Sequence, residues 1–273
     1  MSTHFDRLRA QHFIERFLGC KEIENWGSYR RQLEEFQPSE ALIFSLKEEL
    51  LGDAQSLYER SLLTFASAIQ SIQANAIGWA LVKFYYSTFY SVRCTLAIRQ
   101  HCLIRNKCWY HLDLSISGGK PIKLASDLYR NDHDTALNLY SKLFKNGDFL
   151  LSNNIDGLSP FQWLMEVRND SNYRTAKFPD PAWPAALLKE STVISLNELG
   201  DLWQNVKDDS TSVRIFQPDF AWLAIPSIQL RTATKEFKIR GITWSNPSPL
   251  KNHFHDVIAL LPKALLDDFY IPN

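Results

Sequence analysis

The sequence has no excess charge of either sign and little cysteine. Its 30 lysine and arginine residues balance 30 aspartate and glutamate residues. Because no net charge attracts the chain to nucleic acid or to an anionic membrane, binding to either would depend on a local site. The four cysteines form no Cys-x-x-Cys pair and are too few for a disulfide framework, so we predict that they are reduced. They are Cys20, Cys94, Cys102 and Cys108.

Long apolar runs are also missing. No stretch approaches the roughly 18 consecutive apolar residues of a membrane-spanning helix. The first residues lack the apolar segment and the small-residue cleavage site of a secretory signal. We therefore predict a cytoplasmic protein that does not associate with membranes. The phosphate-loop pattern Gly-x-x-x-x-Gly-Lys-Ser/Thr and the hydrolase pattern Gly-x-Ser-x-Gly are absent as well.

The composition and the spacing of apolar residues predict a folded, mainly helical protein. Apolar residues make up 45% of the chain and charged residues 22%, which is the balance of a globular protein. Up to about residue 206, apolar residues recur every three or four positions, which is the helical period. A break at residues 74–78 separates two long helices that we expect to form an antiparallel hairpin. Ser39 is a predicted N-cap for a helix that precedes the hairpin.

Further helices follow the hairpin. We predict them over residues 136–144, from the N-cap Ser159 with Pro160 at the first helical position, and from Pro184 to about residue 206. Two regions lose the helical period. Residues 101–134 carry a Gly-Gly-Lys-Pro sequence and predict a connecting loop with at most one short helix.

The second region without helical spacing lies near the carboxyl end. Residues 212–217, 224–230 and 236–244 alternate apolar and polar side chains, which predicts a small antiparallel sheet. Helical spacing returns over residues 250–270. The three-part division expected from these patterns is a helical extension over 1–55, a helical bundle over 56–208 and a small α+β extension over 209–273.

Two sequence motifs on the helices carry candidate chemistry. The first is the aromatic run Tyr85-Tyr86-Ser-Thr-Phe89-Tyr-Ser-Val-Arg93-Cys-Thr-Leu96. An aromatic stripe at helical spacing usually belongs to the core, and a platform for stacking bases is the alternative. The second is Arg168-Asn-Asp-Ser-Asn-Tyr-Arg174 at the end of an amphipathic helix. Arg168 could complement the negative end of the helix dipole, or its planar fork could bind a phosphate.

Together, these motifs resemble the HEPN superfamily of nucleotide-binding helical bundles. Small bacterial members have a Tyr-Tyr-x-x-Phe-x-x-x-Arg-x-x-Leu pattern on an early helix, and every fixed position matches here. Their late helix carries an arginine and a polar residue, followed by histidine or, in one group, by Ala-Asp-Tyr. Arg168-Asn169 followed by Ser-Asn-Tyr173 is similar to the second form. The resemblance covers residues 56–178, less than half of the chain.

The resemblance implies a HEPN-type antiparallel helical bundle that forms a homodimer, with two arginine motifs facing each other across a cleft. Active members are metal-independent ribonucleases in which the 2′-hydroxyl of the RNA attacks the adjacent phosphodiester. Carried over to this chain, the catalytic candidates are Arg168, Asn169 and Tyr173. The candidates for substrate binding are Arg93, Tyr86, Tyr90 and Arg174. We expect no cofactor and no metal.

Tyr173 occupies the position where an active nuclease of this kind usually has histidine. Because free tyrosine has a pKa near 10, it is a poor general base at neutral pH. It could act as a general acid, as a hydrogen-bond donor to phosphate, or as the acceptor of a group transferred by a partner nucleotidyltransferase. Three hypotheses follow: an RNA-directed effector in a toxin or antiviral defence system, a non-catalytic dimerisation scaffold, and a nucleotide sensor.

The remaining histidines offer no stronger site. His253 and His255 resemble a pair of metal ligands, but residues two positions apart point in different directions on a helix or a strand. Neither a cysteine nor a third ligand stands at the expected spacing. We therefore predict no metal at these residues.

Overall fold

The structure is a computed structural model that describes residues 8–171, 195–242 and 261–269. The predicted site residues Tyr173 and Arg174, the histidines His253 and His255, and the predicted start of a helix at Pro184 lie outside these ranges. The described chain is mainly helical, as predicted. The helices are α1 (Arg9–Phe17), α2 (Arg30–Glu35), α3 (Glu40–Gln73), α4 (Ile77–Ile98), α5 (Asp132–Phe144), α6 (Pro160–Asn169), α7 (Leu196–Lys207), α8 (Pro218–Ile239) and α9 (Lys263–Leu266). The strands are β1 (His101–Asn106), β2 (Cys108–Asp113) and β3 (Ile122–Lys123). Short 3₁₀ helices cover Ile23–Tyr29, Phe149–Leu151 and Arg214–Phe216.

Contacts group the chain into two compact units, each built from two stretches. The first unit contains residues 1–57 and 92–143, and the second contains residues 58–91 and 144–273. Helices α3 and α4 contribute residues to both. The division predicted from the sequence, with boundaries after residues 55 and 208, stays a prediction.

The first unit contains a sheet where the sequence predicted a loop. Strands β1 and β2 pair antiparallel, with His101 opposite Asp113 at one end of the register and Asn106 opposite Cys108 at the other. Strand β3 adds a short antiparallel edge to β2. The loop prediction for residues 101–134 is therefore wrong. Successive residues of β1 and of β2 are buried on both faces, so neither strand shows the alternation that identifies a half-exposed strand.

Helix α1 covers the free edge of β1 through one side-chain amide. Gln11 Nε2 donates to the carbonyl oxygen of Arg105 at 3.3 Å, and the backbone N–H of Arg105 donates to Gln11 Oε1 at 3.1 Å. The indole of Trp26 donates to the same carbonyl at 2.7 Å. An unpaired strand edge is a site of aggregation, and these bonds satisfy the backbone groups of this edge at Arg105.

Asp53 of α3 caps the amino terminus of α1. Its carboxylate accepts the backbone N–H of Arg9 at 2.6 Å and that of Ala10 at 3.0 Å. Leu8, at the N-cap position, has no side-chain oxygen to do this. Burial raises the pKa of the Asp53 carboxyl to about 6, although both backbone bonds favour its ionised form.

The second unit contains the predicted helical hairpin. Helix α3 ends at Gln73 and α4 begins at Ile77, so the break lies where the sequence predicted it. Ser61 Oγ donates to the carbonyl oxygen of Ser87 at 2.8 Å, and Ser87 Oγ donates to that of Ser61 at 2.9 Å. Ser91 Oγ lies 2.6 Å from Ser61 Oγ. The buried serines therefore satisfy one another across the two helices.

The carboxyl-terminal segment is helical where strands were predicted. Residues 212–217 contain a 3₁₀ turn, and residues 224–230 and 236–239 belong to α8, so the predicted C-terminal sheet is wrong for the described residues. Helix α8 buries apolar side chains on most of its circumference, which hides the helical period. Pro226 also lies inside this helix, although proline usually interrupts one.

Large aromatic side chains fill the core around α8. Phe65 packs edge-on against Phe84, with ring centroids 5.3 Å apart, and Phe84 lies 5.6 Å from Trp222 of α8. Asp268, just after α9, accepts a hydrogen bond from the indole of Trp203 at 2.9 Å and pairs with Lys207 at 3.1 Å. The aromatic contacts connect α3, α4 and α8, and the contacts of Asp268 connect α7 with the residues after α9, all within the second unit.

Replacing Ser87 by valine is expected to destabilise the second unit. The change removes the hydroxyl that donates to the Ser61 carbonyl oxygen at 2.9 Å and lies 3.1 Å from Ser61 Oγ, and it adds methyl groups to a packed site. Together these effects cost about 2 to 4 kcal/mol. Chemical denaturation followed by circular dichroism measures the loss. Ser56→Val is the matched control, because Ser56 is exposed and bonds only within α3. Equal effects of the two substitutions would refute the role of the serine pair.

Candidate functional site

Helix α6 positions Arg168 in its last turn. The helix begins with the predicted cap: the Ser159 hydroxyl accepts from the backbone of Gln162, and Gln162 reaches back to the backbone of Ser159. Pro160 occupies the first helical position, as predicted. Phe161 and Leu164 are buried and fix the orientation of the helix, which packs against α8. Arg168 follows Leu164 by four residues and lies on the same side of α6.

The guanidinium of Arg168 is held by two tyrosines and one asparagine. Nη2 donates to the Tyr86 hydroxyl at 3.1 Å, and Nη1 donates to Asn169 Oδ1 at 2.9 Å. The guanidinium carbon lies 5.1 Å from the ring centroid of Tyr85 and 5.5 Å from that of Tyr86. Cation–π contacts and hydrogen bonds together fix the planar fork before any ligand binds.

The aromatic run on α4 divides into a core face and a surface face. Phe84, Tyr85 and Phe89 are buried, which is the core placement expected of most aromatic stripes. Tyr86 and Tyr90 are only half-buried, and their ring centroids lie 6.2 Å apart with a tilt of 33°. The core interpretation is therefore correct for the buried face, and the stacking platform stays a prediction for Tyr86 and Tyr90.

A stripe of accessible side chains runs along α4 in the second unit. It consists of Trp79, Lys83, Tyr86 and Tyr90, at steps of four, three and four residues, which place them on one face. Trp79 is 60% exposed. Lys83 donates to Ser71 Oγ at 2.7 Å, and burial lowers the pKa of its ammonium group. We call these four residues the α4 stripe.

Arg93 extends the face of the α4 stripe by one turn, but it belongs to the first unit. Its Nη1 pairs with Asp132 Oδ2 at 2.7 Å, and its side chain is 13% exposed. The structure therefore brings together Arg168, Asn169, Tyr86 and Tyr90, and it commits Arg93 to an ion pair with α5. The predicted role of Arg93 in substrate binding stays a prediction.

A histidine pair in the first unit was missed by sequence reasoning. His101 Nδ1 lies 3.1 Å from His111 Nε2 and 3.8 Å from Asp113 Oδ2. The two histidines are ten positions apart in the sequence, and only the register of β1 against β2 makes them neighbours. A sequence prediction of the antiparallel pair β1 and β2 would have revealed that the two histidines are neighbours. Within the described ranges, no group of three or more histidine, cysteine, aspartate or glutamate side chains is arranged to hold a metal ion.

Comparison of the chain with protein-family models, with curated proteins and with solved structures finds no match. The resemblance to HEPN proteins therefore depends on the two motifs alone. In the part of the chain that the structure describes, each helix is too short or too polar to cross a membrane.

A double-mutant cycle is expected to detect the bond between Arg168 and Tyr86. Tyr86→Phe removes the hydroxyl that accepts from Arg168 but keeps the ring, so its coupling with Arg168→Ala should be about 1 kcal/mol in the free energy of unfolding. The control pair is Tyr86→Phe with Arg60→Ala, because Arg60 is an exposed residue of α3 in the same unit. Zero coupling in both cycles would contradict the hydrogen bond between Arg168 and Tyr86.

The buried His111 predicts a stability loss in acid. Burial lowers the pKa of His111 to about 4 from its ordinary 6.5, with His101 as a secondary cause. Between these values the unfolded chain binds a proton that the folded chain does not, so the contribution of His111 falls by about 3 kcal/mol as the pH is lowered. Asp53 acts oppositely, because its pKa is raised to about 6 and its contribution grows as the pH falls.

The opposite contributions of His111 and Asp53 can be separated by comparing the free energy of unfolding between variants. We expect the difference between the wild-type protein and His111→Gln to shrink steadily from pH 6.5 to pH 4. His12→Gln is the control, because it removes an imidazole from an exposed position of the same unit. The same pH dependence for both variants would show that burial does not shift the titration of the His111 imidazole.

Proposed function

We propose that the chain is a HEPN-type effector that acts on RNA or nucleotides by metal-independent phosphodiester chemistry at Arg168. The observation that carries this proposal is the fixed guanidinium of Arg168 beside the half-buried Tyr86. In this proposal, the 2′-hydroxyl of the RNA attacks the neighbouring phosphorus and the 5′-oxygen of the next nucleotide leaves. Arg168 stabilises the negative charge that develops on the phosphorane oxygens.

A preorganised arginine suits this role for a physical reason. Charge stabilisation is most effective when the donor does not have to reorganise as the transition state forms. The rings of Tyr85 and Tyr86 and the amide of Asn169 hold the guanidinium in one orientation. Arginine also matches the geometry of a phosphate better than lysine does, because its donors lie in one plane.

The α4 stripe suits single-stranded RNA. Unstacked bases bind to aromatic side chains, and this contact tolerates any base because each base has a π face. Tyr86 and Tyr90 offer half-buried rings, and Trp79 offers a largely exposed indole three turns from Tyr90 along α4. Bases would stack on these rings while the phosphate next to them reaches Arg168.

Proton transfer is assigned to Tyr173 in this proposal. None of the described residues of the second unit is a histidine. Tyr173 would protonate the leaving oxygen or donate a hydrogen bond to the phosphate, and Arg174 would add a positive charge. We propose that the active form is a homodimer with two facing arginine motifs, and that a partner protein, such as a nucleotidyltransferase or an antitoxin, keeps a toxin or defence component of this kind inactive.

A nucleotide sensor, in which Arg168 binds a small phosphate ligand, is a third candidate. The second candidate is a non-catalytic dimerisation scaffold. It is favoured by the same contacts, because both terminal nitrogens of Arg168 already donate to Tyr86 and Asn169. An arginine whose donors are used in this way stabilises the bundle and does not need to contact a substrate. The absence of the usual histidine at Tyr173 supports the same interpretation.

RNA cleavage tests the first candidate directly. End-labelled transfer RNA and messenger RNA are incubated with the purified protein in EDTA, alone and with the product of the neighbouring gene. We expect cleavage that leaves 2′,3′-cyclic phosphate ends and stops when the 2′-hydroxyl is replaced by hydrogen. Arg168→Ala should reduce the rate by a factor of about 100 to 1,000. Arg60→Ala, which removes an exposed arginine of the same unit, should leave it unchanged.

Intact RNA under all these conditions would remove the catalytic proposal. Calorimetry with nucleotides and size-exclusion chromatography with light scattering would then separate the remaining candidates. Nucleotide binding that Arg168→Ala abolishes identifies a sensor. A dimer that binds no nucleotide at this residue identifies a scaffold.

A further inference from the structure

A cleft in the first unit is lined mostly by one face of α1. Its volume is about 610 Å³, within the range of small-molecule sites. Its described walls are formed by Arg9, His12, Phe13, Arg16, Phe17 and Glu49. Five of these six residues come from α1, at the helical spacing that places them together, while Ala10 and Ile14 of the same helix are buried.

The cleft is positively charged. Arg9, His12 and Arg16 follow one another at steps of three and four residues, and Glu49 is the single acidic residue among the described wall residues. Two other exposed arginines of this unit, Arg30 and Arg31, each pair with a glutamate four residues on. The side chains of Arg9 and Arg16 form no such ion pair and no hydrogen bond with any residue that the structure describes.

Arg9 is an unusual choice at its position. It is the first residue of α1, and the positive end of a helix dipole disfavours a cation there. Its guanidinium packs over Gly52 of α3, where a β-carbon would lie 2.7 Å from Nη1. The backbone N–H groups at this helix end already donate to Asp53, so an anion in the cleft would bind to side chains.

Two aromatic rings lie next to the charged side chains of the cleft. Phe13 and Phe17 are one helical turn apart, and Phe17 is 57% exposed although it packs at 5.7 Å against Phe36. Phe13 lies between Arg9 and Arg16 along α1, and the exposed Phe17 directly follows Arg16, so both rings offer apolar surface next to cationic groups. A ligand with one flat ring and one or more phosphates matches both features.

We propose that this cleft binds a nucleoside phosphate. Arg9, His12 and Arg16 hold the phosphate, and the base stacks on Phe13 and Phe17. Glu49 accepts a hydrogen bond from a ribose hydroxyl. The ligand is either a free nucleotide or the phosphorylated 5′ end of an RNA, since both present the same groups. The cleft shares no residue with Arg168 or the α4 stripe, so this proposal stands independently of the proposed function.

Binding is measured with the full chain by fluorescence anisotropy and calorimetry. The probes are AMP, ATP, adenosine, inorganic phosphate, and a short single-stranded RNA with either a 5′-phosphate or a 5′-hydroxyl. We expect AMP or ATP to bind at least tenfold more tightly than adenosine or inorganic phosphate. Tighter binding of the 5′-phosphorylated RNA than of AMP would identify the RNA end as the ligand, and the reverse order would identify the free nucleotide.

Substitutions locate the binding in the cleft. Arg16→Gln and Phe17→Ala change exposed side chains and should each weaken nucleotide binding by about tenfold or more. Glu49→Gln removes the opposing charge and should tighten binding of phosphate groups several-fold. Arg31→Gln is the control, because it removes the same charge from an arginine of this unit outside the cleft. Thermal unfolding confirms that each variant is folded.

Two results would overturn the proposal: no binding of any probe at millimolar concentration, or binding that Arg16→Gln and Arg31→Gln weaken equally. The assay is distinct from the RNA cleavage assay. Arg168→Ala should leave nucleotide binding in the cleft intact, and loss of binding with that variant alone would assign the nucleotide to Arg168. If the protein does not cleave RNA, the result for nucleotide binding in the cleft is unaffected.

Discussion

The burial of α4 is the constraint on which the candidate site depends. In the second unit, this helix packs its aromatic side chains into the core on most of its circumference, with Phe84 against Phe65 and Trp222. The α4 stripe is the face that this packing leaves accessible. Arg168 reaches that face from α6, so the position of the guanidinium depends on a rigid, fully packed support. A site built on two helices is held more accurately than one built on loops.

Three sets of buried polar groups are matched across elements, in both units. The serine pair joins α3 to α4, Asp53 caps α1, and Asp268 binds Trp203 and Lys207. A buried polar group without a partner costs more than its bond contributes, so each of these sets also specifies which helices pack together. The polar bonds of the core therefore contribute to specificity of the fold as well as to its stability.

The two candidate sites use similar chemistry in separate units. Each combines arginine with accessible aromatic rings, the pairing that suits phosphates joined to bases. They differ in how the arginine is held. Arg168 is fixed by hydrogen bonds and ring contacts, which suits charge stabilisation during a reaction, whereas Arg9 and Arg16 lie along a wide cleft that suits binding. Both proposals place anion binding in local sites, since the chain carries no net charge that would attract anions.

The sequence by itself determined the helices of the hairpin, the break between them, α6 and the caps at Ser39 and Ser159, because capping and helical periodicity are local properties. It did not show that the helix capped by Ser39 is itself the first helix of the hairpin, since α3 continues from Glu40 to Gln73. It also indicated Arg168 and the aromatic run. Only the tertiary structure decided that β1 and β2 are strands and that α8 is a helix, because burial on all sides erases the periodicity that distinguishes the two. The partners of Arg168, the ion pair of Arg93 and the wall of the cleft likewise depend on which elements pack together. Packing brings together residues that are far apart in the chain, so a local sequence pattern does not predict which residues come into contact.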